Sequence, residues 1–430
     1  MFRRNLVALA AFAGVAACGQ SPSSSPSTQD QGTPVQPTAL RDLAPDVSPA
    51  DAAELSADNL TFAFNLYPGV ATDEISNVFY SPYSASLALA MTYAGAAGET
   101  AQQIATALQF DLPPARLHPA FDALDLALES HAIHGVTVDI ADSLWGDESL
   151  EFQPGFLDIL SKNYGSGLRV TDFMHAPEPA RSAINNWVSS ETEQTIPDLL
   201  PDGSITSSTR FVLVNAIYFH ATWLTQFNPS MTKPSPFTRL DGSVVQAPSM
   251  TNAAASCSTV FGQGYEAGEL QYANEQTSMV IVLPAAGQFT AVESGLTGGF
   301  VSTLFSRLSK VTPSGTAVTL PKFSIKTATF SVSAELEKLG MTDAFRKGAD
   351  FSAMLPGGNV FLTDVLQQAY IDVSEAGTKA SAATAVIGGQ DDGAVEAPPA
   401  LVVDRPFLFV IRDIPTNTAL FVGRVLDPTL

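Results

Sequence analysis

The residue types that usually carry catalysis form no recognisable set in this chain. Its 430 residues include five histidines and two cysteines. They contain no Gly-x-Ser-x-Gly, His-Glu-x-x-His, phosphate-binding glycine-rich loop or Cys-x-x-Cys motif. His131 and His134 could meet on a helix, but two ligands without a nearby carboxylate do not predict a metal site. We therefore expect no enzymatic activity, no metal and no cofactor.

One segment could instead offer a peptide bond for another protein to attack. Small residues fill nearly every position from 377 to 386, so a strand formed there would carry little side-chain bulk. One face of that strand would carry Thr378, Ala380, Ala382, Thr384 and Val386. The run 388–393 is polar and rich in turn residues, and we expect it to stand in solvent. A strand that could enter a sheet is thus joined to an exposed target for proteolysis.

The pattern Glu-x-Gly-Thr followed by an alanine-rich run resembles the hinge and reactive loop of the serpin family. Other segments resemble serpin motifs in the family's order: 77–84, 211–219 with Trp223 and Phe227, 320–323, 339–341, 350–352, 405–409 and 421–423. The resemblance implies an α+β serpin fold. In it, helices pack around large, mostly antiparallel sheets, and an exposed reactive loop covers about residues 375–403.

The resemblance also implies a function, irreversible suicide-substrate inhibition of a serine endopeptidase. The protease cleaves the loop, and the freed strand inserts into the main sheet. Inserting about 15 residues would add roughly ten ladder hydrogen bonds of about 1 kcal/mol each, enough to make the uninserted state metastable. The alternative is a non-inhibitory serpin that acts as a binding or structural lipoprotein of the cell envelope.

The resemblance assigns the hinge to Glu375, Gly377, Thr378, Ala380, Ala382, Ala383 and Thr384. Thr378 is the first inward residue, and we expect it at the sheet's edge or in solvent until the loop is cleaved. Glu375 would pair with Lys322 where the sheet opens, with Trp223 beneath. Ser81, Ser84 and Asn215 would lie at the middle of the sheet. Gln367 stands where many serpins have a histidine, and it cannot titrate, so we expect this centre to be less sensitive to pH.

The position of the scissile bond depends on the direction of counting. Sixteen residues on from Glu375 lies Asp391-Asp392, which we take as the scissile bond because the N-terminal part of the loop must match the length of the sheet. Counting back from Pro406 gives the alternative, Val395-Glu396. Asp391 would suit an Asp- or Glu-specific protease, and Ala394 or Val395 would suit an elastase- or subtilisin-like one. A papain-like cysteine protease is a further alternative. Because no Lys or Arg lies between Lys379 and Arg405, a trypsin-like target is not expected.

Composition favours one large acidic domain over residues 51–430. The chain is 45% hydrophobic, which is ample for a core, and its net charge of −22 argues against nucleic acid as a partner. Helical periodicity marks 84–108, 118–131, 154–164, 179–190 and 332–339. Strand-like runs mark 137–145, 210–219, 278–283, 317–324, 365–373, 407–412 and 419–425. Helices early and strands late indicate an α+β domain, and we expect a monomer.

The N-terminus resembles an export signal followed by a tether. Two arginines, a short apolar run and Cys18 predict a signal peptide at 1–17, and residues 15–18 resemble a bacterial lipobox in which Cys18 is lipidated. An ordinary cleaved signal is the alternative. Residues 18–50 are rich in Ser, Pro, Gln and Thr, and we expect them to form a disordered tether. The predicted location is the cell envelope, in the outer membrane since Gly19 follows the cysteine, or the extracellular space. The lipid would be the chain's one contact with a membrane.

Overall fold

The structure is a computed structural model, and it describes residues 30–35, 39–73, 75–165, 168–358, 360–378 and 400–430. The helices are α1 (Pro49–Val70), α2 (Pro82–Tyr93), α3 (Gly98–Leu108), α4 (Pro114–His131), α5 (Pro154–Tyr164), α6 (Pro177–Glu191), α7 (Phe289–Ser294), α8 (Gly298–Leu308) and α9 (Ser333–Lys338). Proline begins several of them, where its fixed φ suits the first turn and its missing N–H costs no hydrogen bond. Ser48 and Ser81 cap α1 and α2 by accepting from Asp51 N and Ser84 N.

The strands follow in chain order. They are β1 (Thr33–Pro34), β2 (Val78–Tyr80), β3 (Val136–Asp147), β4 (Arg169–Thr171), β5 (Phe211–Thr222), β6 (Lys233–Thr238), β7 (Val244–Gly262), β8 (Tyr265–Gln271), β9 (Thr277–Pro284), β10 (Ser314–Pro321), β11 (Phe323–Lys326), β12 (Phe330–Ser331), β13 (Val365–Val373), β14 (Gly377–Thr378), β15 (Ala400–Val402), β16 (Phe407–Asp413) and β17 (Thr418–Val425).

These strands form two sheets in the described part of the chain. The main sheet has the order β1-β4-β3-β5-β14-β13-β11, and β12 also pairs with β13. The second sheet has the order β15-β10-β7-β8-β9-β16-β17-β2, with β6 on β7. Pairing is antiparallel except between β3 and β4, β5 and β13, and β10 and β15. The predicted α+β class with large, mostly antiparallel sheets is confirmed.

Helices cover both faces of the main sheet. The helix α2 is buried along almost its whole length and contacts β3, β5 and β17, so it lies between the two sheets. On the other face, α6 packs through Ile184, Trp187 and Val188 onto a cluster that includes Trp145 of β3 and Val214 of β5. When the main sheet widens, its strands therefore have to slide past helices on both faces.

Part of the predicted tether lies against the body. Residues Thr33–Pro34 form β1 on the outer edge of β4, and Val35 N donates to Leu168 O at 2.8 Å. Asp42 N likewise donates to Lys162 O at 2.9 Å. We call residues 30–35 and 39–48 the N-terminal strap. The prediction of a disordered tether up to residue 50 is therefore wrong for the strap, because backbone hydrogen bonds to the sheet edge and to Lys162 of α5 hold it.

Arg41 fixes the strap to α4. Its guanidinium pairs with Asp122 at 2.8 Å, Asp125 at 2.6 Å and Glu129 at 2.8 Å. These carboxylates are three and four residues apart, so they share one face of the helix. Asp122 is fully buried and Arg41 mostly so, and the strap thus supplies the cation that this acidic face needs.

Within the described ranges, no helix is long and apolar enough to cross a membrane. In the same residues, no group of three or more His, Cys, Asp or Glu side chains could hold a metal ion. Cys257 is buried, and burial raises its pKa to about 12, so its thiol stays protonated at neutral pH.

Candidate functional site

The main sheet is split at one end by the two-residue strand β14. Along its middle, β5 pairs directly with β13, from Val365 opposite Leu213 to Ala369 opposite Ile217. Beyond that ladder the two strands separate and β14 lies between them, with Thr378 opposite Ala221 on one side and Val373 on the other. The chain therefore already presents the start of an additional strand at the place where the sheet can open.

A tight turn leads from β13 into β14, and it requires glycine at position 377. Gly377 has φ +152°, and a Cβ there would lie 2.0 Å from the carbonyl oxygen of Ala221. Any other residue would combine an unfavourable backbone conformation with a clash against β5. Ser374 N closes the turn by donating to Gly377 O at 2.8 Å.

Thr378 is completely buried within the sheet. Its hydroxyl lies 2.8 Å from the hydroxyl of Tyr272, and either group can be the donor. The expectation that Thr378 stays at the sheet's edge or in solvent is therefore wrong, because backbone pairing on both sides and this hydroxyl contact stabilise it inside. The next inward residue, Ala380, lies outside the described residues.

Glu375 is bound from several sides at the base of this turn. Its Oε2 accepts from Lys322 Nζ at 2.8 Å, and its Oε1 accepts from Thr232 Oγ1 at 2.8 Å. Its carbonyl accepts from Phe227 N at 2.9 Å. Burial alone would raise the pKa of Glu375, but the hydrogen bonds, led by that from Lys322, outweigh it and lower the pKa below its usual value. Glu375 is thus held ionised next to the hinge.

Trp223 lies beneath the turn and supports it through both its backbone and its ring. Trp223 N donates to Ala376 O, and Nε1 donates to Ser374 O, each at 3.0 Å. The indole is stacked on the ring of Tyr272, with centroids 4.6 Å apart and planes 8° apart. The stack positions the Tyr272 hydroxyl for Thr378, so one aromatic pair holds both ends of the turn.

A second set of polar groups joins the strands where β5 and β13 pair directly. We call it the central network, and its members are Ser81, Ser84, Asp142, Asn215 and Gln367. All five are buried. Gln367 Nε2 donates to Asn215 Oδ1 at 2.8 Å and to Ser81 O at 2.9 Å, and its Oε1 accepts from Ser81 N at 3.1 Å. Asn215 Nδ2 donates to Ser84 Oγ. Opening the sheet between β5 and β13 would break the hydrogen bond from Gln367 to Asn215, which joins these two strands within the network.

Asp142 is the member that sequence reasoning missed. Its Oδ1 accepts from Ser84 Oγ and from Asn215 Nδ2, each at 3.0 Å. The sequence did carry a signal: with a two-residue period, Asp142 shares a strand face with Val136, Val138 and Leu144, so an acid interrupts an apolar face. The network therefore contains a titratable group even though Gln367 cannot titrate. Tyr272 and Thr232 were missed as well, and no local pattern links them to a hinge more than 100 residues away.

The remaining predicted positions lie outside the described residues. These are the hinge residues Ala380, Ala382, Ala383 and Thr384, the scissile-bond candidates Asp391, Asp392, Ala394, Val395 and Glu396, and the lipidation site Cys18. The structure does bring together Glu375, Lys322 and Trp223 at the hinge, and Ser81, Ser84 and Asn215 at the centre. The parts these residues play in function stay predictions.

Known proteins resemble this chain in sequence and in fold. A sequence family described as "Serpin (serine protease inhibitor)" matches residues 57–428. Antithrombin-III of Mus musculus is 32% identical over 386 residues, covering 87% of this chain and 82% of its own. The leukocyte elastase inhibitor of Bos taurus is 34% identical over 388 residues, covering 87% of this chain and all of its own.

A solved structure of human thyroxine-binding globulin in complex with thyroxine superimposes with a TM-score of 0.77 at 28% identity. The match covers 88% of this chain and 99% of the globulin. Proteins named as inhibitors and a protein named for thyroxine binding are therefore both similar to this chain over nearly the same length.

Proposed function

Since this chain belongs to the serpin family, we propose that it is an irreversible suicide-substrate inhibitor of a serine endopeptidase and not an enzyme. A protease would cleave the loop between 379 and 399, and the released strand would continue β14 into the main sheet. The protease would then remain attached as an acyl-enzyme.

The observation that carries this proposal is the position of β14 between β5 and β13. To extend β14, the sheet must replace one direct ladder between β5 and β13, which covers five register positions, with two new ladders along an inserted strand. Each new backbone hydrogen bond contributes about 1 kcal/mol net. Insertion therefore gains pairing overall, while the central network resists the separation of β5 and β13 before the loop is cut.

The residues that would follow Thr378 favour insertion. Ala380, Ala382 and Thr384 are the next residues at inward spacing, and none brings charge or large volume to the interior. This composition favours an inhibitor over the competing function, a serpin that binds a ligand or acts structurally without trapping a protease. The similarity to thyroxine-binding globulin keeps that second function open to test.

The loop sequence limits the target class. With Asp391 before the scissile bond, the target would be an Asp- or Glu-specific protease. With Ala394 or Val395 there, it would be elastase- or subtilisin-like. A papain-like cysteine protease is the remaining alternative, because it also passes through a covalent acyl-enzyme.

A covalent complex is the decisive observation. We would incubate the protein with elastase-, subtilisin-, Glu-specific, trypsin- and papain-like proteases, and look for a complex that survives boiling in detergent. The variant Ala380→Arg should be cleaved without forming a complex, because burying an unpaired guanidinium blocks insertion. The variant Lys379→Ala, at the adjacent position that strand alternation predicts to face outward, is its matched control and should still trap the protease. Cleavage by every protease without any complex would favour the non-inhibitory function.

We further propose that Cys18 carries a lipid that anchors a monomer to the cell envelope, at the outer membrane. Comparing the wild type with Cys18→Ala in fractionated cells tests this, with membrane recovery expected for the wild type alone. Equal solubility and equal processing of the two proteins would instead indicate an ordinary cleaved signal and an extracellular location.

A further inference from the structure

Asp142 has a one-sided environment in the central network. Oδ1 receives both hydrogen bonds, from Ser84 and Asn215. Oδ2 is buried and has no hydrogen-bond partner among the residues that the structure describes. An ionised carboxylate shares its charge between both oxygens, so one charged oxygen would lie in the interior without a donor. A neutral carboxylic acid leaves only an unpaired hydroxyl, which costs much less.

Among the residues that the structure describes, the elements around Asp142 supply no compensating cation. From α2 it faces Ser84 and Tyr83, from β5 it faces Asn215, and behind Asn215 lies Gln367 of β13. The charged group that acts on it is Asp125 of α4, which is itself acidic. Arg41 lies behind Asp125 and is already paired with three carboxylates.

The direction of the pKa shift agrees with this geometry. Burial raises the pKa of Asp142 well above its usual value, and the nearby Asp125 raises it further. The hydrogen bonds from Ser84 and Asn215 act in the opposite direction but do not offset burial.

We propose that Asp142 is held as a neutral acid in the closed main sheet, and that its ionisation on opening makes the sheet easier to open as the pH rises. In this proposal one carboxyl group makes the closing of the main sheet depend on pH. That opening admits the reactive loop rests on the proposed function. The protonation state of Asp142 and its effect on the opening of the sheet do not depend on the proposed function.

The sign follows from proton linkage. In the closed sheet Asp142 binds its proton more tightly than in an open, hydrated sheet. Below the ordinary Asp value of about 4 both states are protonated, and this group contributes no pH dependence. Above it, each pH unit favours the open state by up to tenfold, until the pH passes the pKa of the closed state. Lowering the pH therefore stabilises the closed sheet relative to the open one.

Asp142→Asn is the direct test, because the amide mimics the neutral acid and keeps Oδ1 as an acceptor. We would measure hydrogen exchange of backbone amides in the β5–β13 ladder from pH 4 to 9, and divide the wild-type rate by the variant rate at each pH. This ratio cancels the intrinsic pH dependence of exchange. It should increase with pH, by up to tenfold per unit. A ratio independent of pH would overturn the proposal.

Asp147→Asn is the matched control on the same strand. Asp147 is also buried, but its carboxylate accepts from Ser149 N and Oγ, Phe173 N and Met174 N. These hydrogen bonds outweigh burial and lower the pKa of Asp147. It should therefore be ionised in the native state, and its substitution should leave the exchange ratio flat above pH 4.

Infrared spectroscopy reports the protonation state without a protease and also covers an Asp142→Asn variant that fails to fold. At pH 7 the wild type should show the carbonyl stretch of a protonated carboxyl group, whereas Asp58 and Asp125, with pKa values raised by burial to about 6, are mainly ionised. The band should be lost in Asp142→Asn and kept in Asp147→Asn. Absence of the band from the wild type would overturn the proposal. A failure of protease trapping alone would affect only the proposed function.

Discussion

At the scale of single residues, the hinge depends on one pair of buried hydroxyl groups. Tyr272 and Thr378 are fully buried and lie 2.8 Å apart at these groups. Removing one partner leaves the other unsatisfied in the interior, which costs about 1–3 kcal/mol, whereas removing both is nearly neutral. The contact therefore has a characteristic energetic signature.

We predict that Tyr272→Phe and Thr378→Val each lower the free energy of unfolding by about 1–3 kcal/mol. The double variant should lose less than the sum, because neither hydroxyl is then left unpaired. Urea unfolding of the four proteins measures the coupling. Additive losses would show that the two hydroxyl groups do not interact.

A second prediction concerns Glu375 and acid. Its pKa is lowered in the folded state, so its contribution to stability is present above the ordinary Glu value of about 4.3 and is lost as the pH falls through the lower folded value. Glu375→Gln should therefore lose less thermal stability than the wild type between pH 4.5 and 3. Glu337→Gln is the control, because the ion pair of Glu337 with Arg346 is largely exposed. This variant should lose as much thermal stability as the wild type between pH 4.5 and 3. Parallel curves for wild type and Glu375→Gln would contradict the assigned hydrogen bonds.

The residues of the hinge were predictable to different extents. Glu375, Lys322 and Trp223 belong to family motifs. Such motifs predict contacts between residues that are far apart in the sequence. The burial of Thr378 was not predictable, because it depends on where β5 and β13 separate and on Tyr272 from the second sheet. Such positions result from tertiary packing and leave no trace in local periodicity.

At the scale of elements, sequence periodicity located buried helices and strands well, but it located the breaks between successive elements poorly. The segment 154–164 and the run 365–373 match α5 and β13. Helical periodicity was continuous over residues 84–108, but this range contains most of α2 and all of α3, with a break between them. A Cβ at Gly95 would lie 2.7 Å from Met354, and Gly98 has φ +53°, so the chain turns there. The strand β7 was not predicted, since its alanines and serines show little apolar alternation.

The strap gives a prediction at this scale. Arg41→Met should lower the free energy of unfolding by about 3 kcal/mol, because breaking a buried ion pair leaves uncompensated charge. Asp122 and Asp125 would be left buried without their cation. Arg346→Met removes an exposed pair and should cost under about 1 kcal/mol. Chemical denaturation compares the two, and equal losses would mean that the strap adds nothing through Arg41.

At the scale of the whole molecule, the arrangement predicts that the chain becomes more stable when it is cut. Cleavage between 388 and 396 should raise the melting temperature, because the freed strand can extend β14 and pair on both sides. Ala380→Arg, cut in the same way, should show little increase. Differential scanning calorimetry before and after nicking measures this. An unchanged or lower midpoint for the cut wild type would favour a binding or structural role.

The overall fold was the most predictable level, because motifs spread over residues 77–423 together specify one topology. The closed state of the main sheet, in which β5 and β13 are paired, was less predictable from the sequence. Whether β5 and β13 stay paired before cleavage depends on buried contacts such as the hydrogen bond from Gln367 to Asn215, whose net energy is a small difference between desolvation and hydrogen bonding.

The strap also has a consequence for how the protein meets other molecules. An exposed edge strand is a template on which a neighbouring chain can add, and the outer edge of β4 is instead occupied by Thr33–Pro34. Proline has no N–H to offer a further strand, and β1 is only two residues long. At the proposed envelope location many copies would lie side by side, and this short strand would work against edge-to-edge aggregation.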